Sequence, residues 1–222
     1  RWVAFDQIQF IDKGWVNRNR ILHPDSGTGW QFVTLPLDGK NRFDRICDIT
    51  VKSDIDWRAQ ILGKLTHYKK KAPYYNETVE LVRACFDTSE SNLARLVTGI
   101  LGITAAYLDL QTPIDVQSKM DLELGPIDHA GQWALRIAEA LGASEYVNPI
   151  GGKAIFKPEE FDQAGIRLSY LDPEPVIYDQ KRDEFEPGLS IIDVLMWNGR
   201  EVVSSMIRQQ QETVSAREAH GV

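Results

Sequence analysis

Residues 144–171 have the sequence SEYVNPIGGKAIFKPEEFDQAGIRLSYL, in which two short segments with aromatic and aliphatic residues flank a glycine pair. The flanking segments, Ser144–Asn148 and Ile166–Leu171, are predicted to be strands. Between them, Asn148–Lys153 is a predicted loop, and Pro158 begins a short helix that Gly165 ends. The order strand, loop, helix, strand predicts a βαβ unit with parallel strands and a right-handed crossover.

The chain before this unit changes in character along its length. Aromatic, β-branched and alternating residues predict several strands in the first part of the chain: Trp2–Asp6, Gln7–Ile11, Trp30–Leu35 and Ile46–Val51. Apolar residues at helical spacing then predict three helices, which begin near Asp56, Val79 and Leu93. Gly102 is expected to end the third helix, and Ile103–Leu110 is expected to be a buried strand.

Two further helices are predicted around the βαβ unit. Asp128 can cap a helix that Gly142 ends, and Ser190 with Asp193 resembles a capping box for a helix closed by Gly199. We therefore predict an α/β fold in a single domain over residues 1–208, with a polar helix end or tail over residues 209–222. The domain is expected to contain a mixed or mostly parallel sheet, with a strand-rich N-terminal part, a helical middle and a C-terminal βαβ unit.

Composition narrows the possible function classes. The chain has 222 residues, 43% of them hydrophobic and 26% charged, which is typical of a globular protein. A formal net charge of -7 argues against a general nucleic-acid binder, since such a protein needs a positive field to displace counterions. The sequence contains neither a signal peptide nor an apolar run of the roughly 20 residues that a membrane helix needs. We therefore expect a cytoplasmic protein without a membrane span.

The cysteines and histidines do not form a recognisable metal or disulfide pattern. Cys47 and Cys85 are far apart in the sequence, and the four histidines do not include a pair at helical metal-ligand spacing. Cys47 can be an acyl-carrying nucleophile or a small buried residue, and Cys85 is expected on an apolar helix face. We predict no tightly held metal, and the sequence does not identify a cofactor.

Several motifs resemble the WbqC-like protein family. The N-terminal ones are Asp6–Phe10 and Lys13–Ile21, followed by Trp30, Thr34, Pro36, Trp57 and Ala72–Tyr75. The C-terminal ones are Leu141–Ala143, Tyr146, Asn148, Pro149, Gly151, Gly152, Phe185, Pro187 and Leu189–Met196. The resemblance covers nearly the whole chain. One departure is that family members usually open with a Gln-Pro or His-Gln-Pro loop, which is not found here, so either that segment is missing or its role has been lost.

The resemblance implies a role beside enzymes of O-antigen, capsule or natural-product pathways. Members are often considered transferases of acyl or aminoacyl groups onto amino sugars. We accordingly expect a group transferase whose substrate is an anionic or nucleotide-linked small molecule, with a carrier protein or another biosynthetic enzyme as a partner. Two alternatives remain open at this stage, a nucleotide-dependent activating enzyme and a non-catalytic partner in a biosynthetic complex.

The segment around residues 13–20 carries most of the candidate substrate-binding residues. Paired guanidinium groups suit phosphate or carboxylate, and amides can read hydroxyl groups. The alternative is a solvated strand edge with surface ion pairs to Asp6 or Asp12. The candidates in and beside this segment are Gln9, Lys13, Trp15, Asn17, Arg18, Asn19 and Arg20. Among them Trp15 is the candidate for stacking on a sugar or base ring.

The remaining candidates are catalytic residues and the glycine loop. Asp6 follows a predicted strand and can act as a general base, orient Arg18 or simply pair charges. His129 lies in the first turn of a predicted helix and is the second candidate base. Asn148, Gly151 and Gly152 are expected to let a ligand approach the backbone near a helix N-terminus, although a tight turn explains the glycines equally well.

Overall fold

The computed structural model describes residues 1–39, 41 and 43–219. They pack into two compact units. Unit 1 contains Arg1–Met120 and Pro175–Arg208, and unit 2 contains Asp121–Glu174 with the described residues from Gln209 onward. The mixed α/β content that the sequence predicts is confirmed. The single domain over residues 1–208 with a tail at 209–222 stays a prediction.

The described strands pair two at a time, so the expected larger sheet is replaced by four two-stranded sheets. The strands are β1 (Trp2–Ala4), β2 (Arg18–Leu22), β3 (Trp30–Thr34), β4 (Leu37–Asp38), β5 (Thr50–Val51), β6 (Ile114–Val116), β7 (Glu145–Pro149) and β8 (Arg167–Leu171). In unit 1, β1 pairs with β6 in parallel, whereas the pairs β2–β3 and β4–β5 are antiparallel. In unit 2, β7 and β8 are parallel.

The described residues form six α-helices and several short 3₁₀ turns. The α-helices are α1 (Trp57–Leu65), α2 (Tyr75–Phe86), α3 (Leu93–Tyr107), α4 (Gln132–Ala140), α5 (Pro158–Gln163) and α6 (Ile191–Ala219). In the structure, β1 to β5 lie in the N-terminal part, α1 to α3 follow them, and the parallel strands β7 and β8 flank α5. The strand predicted at Ile46–Val51 is wrong in its first half, because Ile46–Asp48 forms a 3₁₀ turn before β5.

Helix α3 differs most from the sequence prediction. Asn92 caps it by accepting a hydrogen bond from the Arg95 N–H, as a helix-starting asparagine should. The helix then passes through Gly102 without interruption, so the strand predicted over Ile103–Leu110 is wrong. Glycine costs a helix about 1 kcal/mol relative to alanine, which the apolar packing of this helix outweighs. The helical run ends only before Asp109, whose φ is 59°.

The start of α6 is arranged by long-range contacts. The Ser190 hydroxyl accepts the Ile192 N–H, as a cap does. Asp193, however, does not complete a capping box, because its carboxylate accepts hydrogen bonds from the hydroxyls of Tyr68 and Tyr178 instead. Gly199 interrupts α6 with φ 71° and ψ 172°, which confirms the predicted break, and the chain then resumes as helix.

Unit 2 buries aromatic rings between its parallel strands and α5. Tyr146 on β7 packs beside Phe156 and Phe161, with ring centroids 5.7 and 5.9 Å away. Asp128 does not cap α4, which begins at Gln132 instead. The Asp128 N–H donates to the side-chain oxygen of Gln132, so the first residue of α4 holds the turn that precedes the helix.

Candidate functional site

Unit 1 contains a cavity of about 600 Å³ that is lined mainly by apolar side chains. This volume lies within the usual range of small-molecule sites. Helices α2, α3 and α6 supply Leu81, Val82, Cys85, Phe86, Ala94, Val97, Thr98, Ile100, Leu101, Thr104, Ile191, Ile192 and Leu195. All these residues belong to one unit, so the cavity is complete within unit 1.

The polar lining of the cavity comes mostly from the N-terminal strands. Asp6, Asn17, Arg18, Asn19 and Thr34 line it together with the indole of Trp15. The structure therefore brings five of the predicted site residues to one cavity: Asp6, Trp15, Asn17, Arg18 and Asn19. Whether they bind a substrate stays a prediction, but their grouping gives the cavity one polar edge and apolar walls.

Asp6 lies just beyond the carboxyl end of β1 and is held by a residue far away in the sequence. Its carboxylate accepts the Ser118 N–H at 2.9 Å and the Ser118 hydroxyl at 2.5 Å. Because β1 and β6 are parallel, their carboxyl ends meet, which places Ser118 beside Asp6. Asp6 is only 2% exposed, and the hydrogen bonds from Ser118 offset the cost of burying its carboxylate.

A second polar pair lies at the same end of these strands. The Gln117 side-chain amide donates to the Gln7 side-chain oxygen at 3.1 Å. The oxygen of the Gln117 side chain is buried without a hydrogen-bond partner among the described residues. The carboxyl ends of β1 and β6 therefore carry a polar cluster, in which Asp6 and Gln117 are buried, Gln7 is half-buried and Ser118 is exposed.

Arg18 is positioned by the turn that precedes it. Its Nε donates to the Gly14 carbonyl at 3.0 Å, and its Nη2 donates to the Lys13 carbonyl. The guanidinium also lies over the Phe32 ring, 4.1 Å from the centroid. Within the described residues it has no carboxylate partner, so the ion pair with Asp6 that the alternative interpretation included is not formed. Its positive charge is therefore fixed in place at the cavity edge but not neutralised there.

Arg20 has a different position from Arg18. Its Nη2 donates to the Gly188 carbonyl at 2.9 Å, and its guanidinium lies between the rings of Trp15 and Trp30 at 5.5 and 5.1 Å. It does not line the cavity. The two arginines are thus not a paired anion clamp in this cavity, because Arg20 holds the segment before α6 whereas Arg18 reaches the cavity.

Gln9 and Lys13 are also outside the cavity lining. Gln9 forms a β-bridge with Arg45. Lys13 has φ 59°, and its carbonyl accepts a hydrogen bond from Nη2 of Arg18. Both residues shape the segment that carries Arg18, and their proposed contact with substrate stays a prediction.

The other predicted residues lie in unit 2 and are described separately. The His129 Nε2 is 3.0 Å from both carboxylate oxygens of Glu160, which also accepts from Gln132 at 3.2 Å. The hydrogen bond with His129 is the main reason that the pKa of the Glu160 carboxyl is below its usual range. This pairing orients the imidazole with Nε2 toward the carboxylate, an arrangement that general bases use.

The glycine loop of unit 2 has a clear packing role. A Cβ at Gly152 would lie 2.3 Å from the Asn148 side-chain nitrogen, whereas a Cβ at Gly151 would meet nothing within 4 Å. The Asn148 amide donates to the Pro149 carbonyl, and its oxygen accepts from Tyr146. Gly152 is therefore needed for the approach of Asn148, and ligand binding by Asn148, Gly151 and Gly152 stays a prediction.

Sequence reasoning missed two contributors to the cavity site. Ser118 had no signal of its own, because only the pairing of β1 with β6 brings it to Asp6. Cys85 was expected only as a core residue, yet its side chain lines the cavity, and burial raises the pKa of its thiol. Cys47 lies outside the lining, and burial likewise raises the pKa of its thiol, which disfavours the thiolate that a nucleophile needs.

The described residues provide neither a clustered metal site nor a membrane-spanning helix. No group of three or more His, Cys, Asp or Glu side chains among them is arranged to hold a metal ion. Over the same part of the chain, none of the helices combines the length and apolarity needed to cross a bilayer.

Comparison with known proteins gives a consistent assignment. The sequence profile of the WbqC-like protein family matches residues 1–205. A protein of Mycobacterium tuberculosis, named uncharacterized protein Rv1507c, is 26% identical over 207 residues, which cover 90% of this chain and 84% of the relative. No solved structure shows significant similarity. The chain belongs to the WbqC-like protein family.

Proposed function

We propose that this protein is a transferase that moves an acyl or aminoacyl group onto the amine of an amino sugar, a sugar nucleotide or a related compound. The observation that supports this most directly is the cavity in unit 1, whose apolar walls meet a polar edge. That edge contains Asp6, Asn17, Arg18 and Asn19, which lie in the N-terminal motifs of the family. We place the reaction in the bacterial cytoplasm, within polysaccharide or secondary-metabolite biosynthesis.

Each polar residue has a proposed role in the transfer. Arg18 stabilises the negative charge that develops on the acyl oxygen, because its guanidinium is held rigidly and has no carboxylate partner among the described residues. Asn17 and Asn19 bind polar groups of the substrate. The Asn17 amide already donates to the Leu35 carbonyl, so its side-chain oxygen is the proposed contact atom.

The proposed chemistry is attack of an amine on a thioester-linked acyl donor. The amine nitrogen forms a bond with the acyl carbon, the carbon–sulfur bond breaks, and the thiolate leaves. Asp6 accepts the proton that the amine loses, and that proton then neutralises the thiolate. The Ser118 hydroxyl and N–H hold the Asp6 carboxylate in one orientation for this role.

We expect an Asp6→Asn variant to lose about 100- to 10,000-fold in transfer rate, as removal of a general base does. Arg18→Ala should lose about 100- to 1,000-fold, as removal of an oxyanion donor does. The assay mixes coenzyme A thioesters with a panel of amino sugars and amino-sugar nucleotides, and mass spectrometry detects the acylated amine. Arg200→Ala is the control, because Arg200 pairs with Asp109 away from the cavity lining.

Failure of every donor and acceptor pair to give product with the folded wild-type protein would contradict the transferase proposal. Product at an undiminished rate with Asp6→Asn would instead remove the proposed base. In the second case His129 becomes the next residue to replace, because Glu160 orients its imidazole.

A further inference from the structure

We propose that the group placed in the cavity is an apolar acyl chain, and that the site discriminates against aminoacyl groups. This inference rests on the proposed transferase function, which leaves the acyl and aminoacyl classes open. It concerns which of the two the walls of the cavity can accept.

The helical walls of the cavity offer almost no polar partner. Of the thirteen lining residues on α2, α3 and α6, the hydroxyl-bearing ones are Thr98 and Thr104. The Thr104 hydroxyl donates to the Ile100 carbonyl at 2.8 Å within its own helix. A ligand group lying against these walls therefore finds methyl, methylene and aromatic surface, which favours an apolar occupant.

A cationic group would be unfavourable in the same place. Among the described lining residues, Asp6 has the one carboxylate, and each of its oxygens already accepts a hydrogen bond from Ser118, so the remaining acceptor sites are those that the proposed function assigns to the acceptor amine. Arg18 places a positive charge at the cavity edge. An ammonium group would thus lose its hydration, gain no second carboxylate and be repelled by a guanidinium.

The lining also indicates where the chain and its head group lie. Trp15, Asn19 and Thr34 are exposed lining residues beside the polar edge, so the cavity opens to solvent there. Trp2 of β1 and Leu101 of α3 are exposed lining residues as well. The polar head of a thioester donor would remain at this edge near Arg18. Its chain would extend along the walls formed by the helices, where Sγ of Cys85 and Oγ1 of Thr104 lie 3.8 Å apart.

The test uses N-acetylcysteamine thioesters with straight chains of two to ten carbons, titrated into the intact protein by calorimetry without an amine acceptor. We expect affinity to rise about fourfold for each added methylene until the chain fills the cavity, and then to level off. Binding should also show a negative heat-capacity change. A 2-aminohexanoyl thioester, which is an aminoacyl donor with the same chain, should bind at least about tenfold more weakly than the hexanoyl thioester.

Two matched variants of α3 locate the chain. Thr104→Phe should narrow the cavity, so the levelling-off should move to shorter chains. Ile103→Phe adds the same ring at the neighbouring position, where the side chain is 39% exposed and does not line the cavity, so chain preference should stay unchanged. Affinity that does not depend on chain length, or an aminohexanoyl donor that binds as well as hexanoyl, would overturn the proposal.

A second measurement applies if Thr104→Phe does not fold. In a Cys47→Ser background, methyl methanethiosulfonate modifies Cys85, and bound octanoyl thioester should slow that modification at least about tenfold. Unchanged modification at a saturating thioester concentration would overturn the proposal.

The outcomes also separate this inference from the transferase proposal. Apolar chains that bind as described but are never transferred would leave the chain site standing and remove the transfer. Efficient transfer of acetyl and aminoacyl groups, with no chain-length dependence of binding, would support the transferase proposal and remove the chain site.

Discussion

Tyr68 connects three parts of unit 1 that are far apart in the sequence. Its hydroxyl accepts the Leu22 N–H of β2 at 2.9 Å and donates to the carboxylate of Asp193 in α6. Asp193 is fully buried, and burial raises the pKa of its carboxyl, while the hydrogen bonds from Tyr178 and Tyr68 oppose the change. A buried carboxylate needs such partners, because an unpaired one costs several kcal/mol.

We expect Tyr68→Phe to lower the free energy of unfolding by about 1–3 kcal/mol for each buried group that loses its partner. Two groups are affected, the Leu22 N–H and the Asp193 carboxylate. Tyr178→Phe removes a donor to the same carboxylate but leaves the Leu22 N–H paired, so its effect should be smaller. Urea denaturation measures both variants, and an equal loss in the two would contradict the assigned role of the Leu22 contact.

Glu90 and Arg95 give a pH-dependent contribution to stability. Two hydrogen bonds of 2.6 and 2.9 Å join the guanidinium to the carboxylate, and they lower the pKa of Glu90 to about 2. In the unfolded chain this pKa returns to about 4.5. The unfolded state therefore binds more protons between these values, so the contribution is present above pH 4.5 and is lost as the pH falls toward 2.

We expect a Glu90→Gln variant to be less stable than wild type at pH 7, with a difference that shrinks as the pH falls from 4.5 toward 2. In this range the Glu90 carboxyl of the unfolded wild-type chain binds a proton, while the folded one stays charged. Urea unfolding at a series of pH values gives the difference directly. A difference that stays constant over this range would show that Glu90 acts through packing rather than through its charge.

At the scale of elements, Gly199 determines the path of α6. Its φ of 71° and ψ of 172° lie in a region that is almost restricted to glycine. A Cβ at this position would also lie 2.6 Å from the Tyr74 ring. The bend in α6 therefore depends both on the backbone freedom of Gly199 and on the close approach of Tyr74.

Gly199→Ala should destabilise the protein by at least about 1–3 kcal/mol from backbone strain alone. Gly63→Ala is the matched control, since Gly63 lies inside α1 and a Cβ there would meet nothing within 4 Å. That change should be neutral or should stabilise by up to about 1 kcal/mol. Thermal melts followed by circular dichroism compare the two, and a stable Gly199→Ala variant would show that the break in α6 tolerates a side chain.

The elements also show where local sequence signals succeed. Cap residues and apolar spacing predicted α1, and parallel β7 and β8 followed from the short crossover between them. Gly102 failed as a stop signal, because a glycine ends a helix only where the chain turns left-handed. At Gly142 and Gly165 the φ values are 61° and 68°, whereas Gly102 has no positive φ.

At the scale of the whole molecule, the cavity explains why residues from distant segments belong to one candidate site. Strands from the N-terminal part supply its polar edge, and α2, α3 and α6 supply its apolar walls. A site of this kind needs most of unit 1 to be folded. Ligand binding to the cavity should therefore raise the melting temperature by mass action.

The sequence by itself determined the features that depend on neighbouring residues. These are the mixed α/β content and the order of β7, α5 and β8, and the sequence also carries the family membership over residues 1–205. The physical reason is that capping, glycine turns and helical or strand periodicity act over a few positions. The sequence also drew attention to Asp6, Trp15 and Asn17–Asn19, which the structure groups at one cavity.

Only the tertiary structure decided what surrounds these residues. Ser118 reaches Asp6 across 112 positions and Tyr68 reaches Asp193 across 125, and local patterns do not encode such pairings. The partners of Arg18 and Arg20 could not be assigned from their alternating positions. The Gly14 carbonyl in the preceding turn accepts from Arg18, whereas the Gly188 carbonyl, 168 positions away, accepts from Arg20. Packing fixes these partners, since buried polar groups must pair with whichever segment the folded core brings beside them.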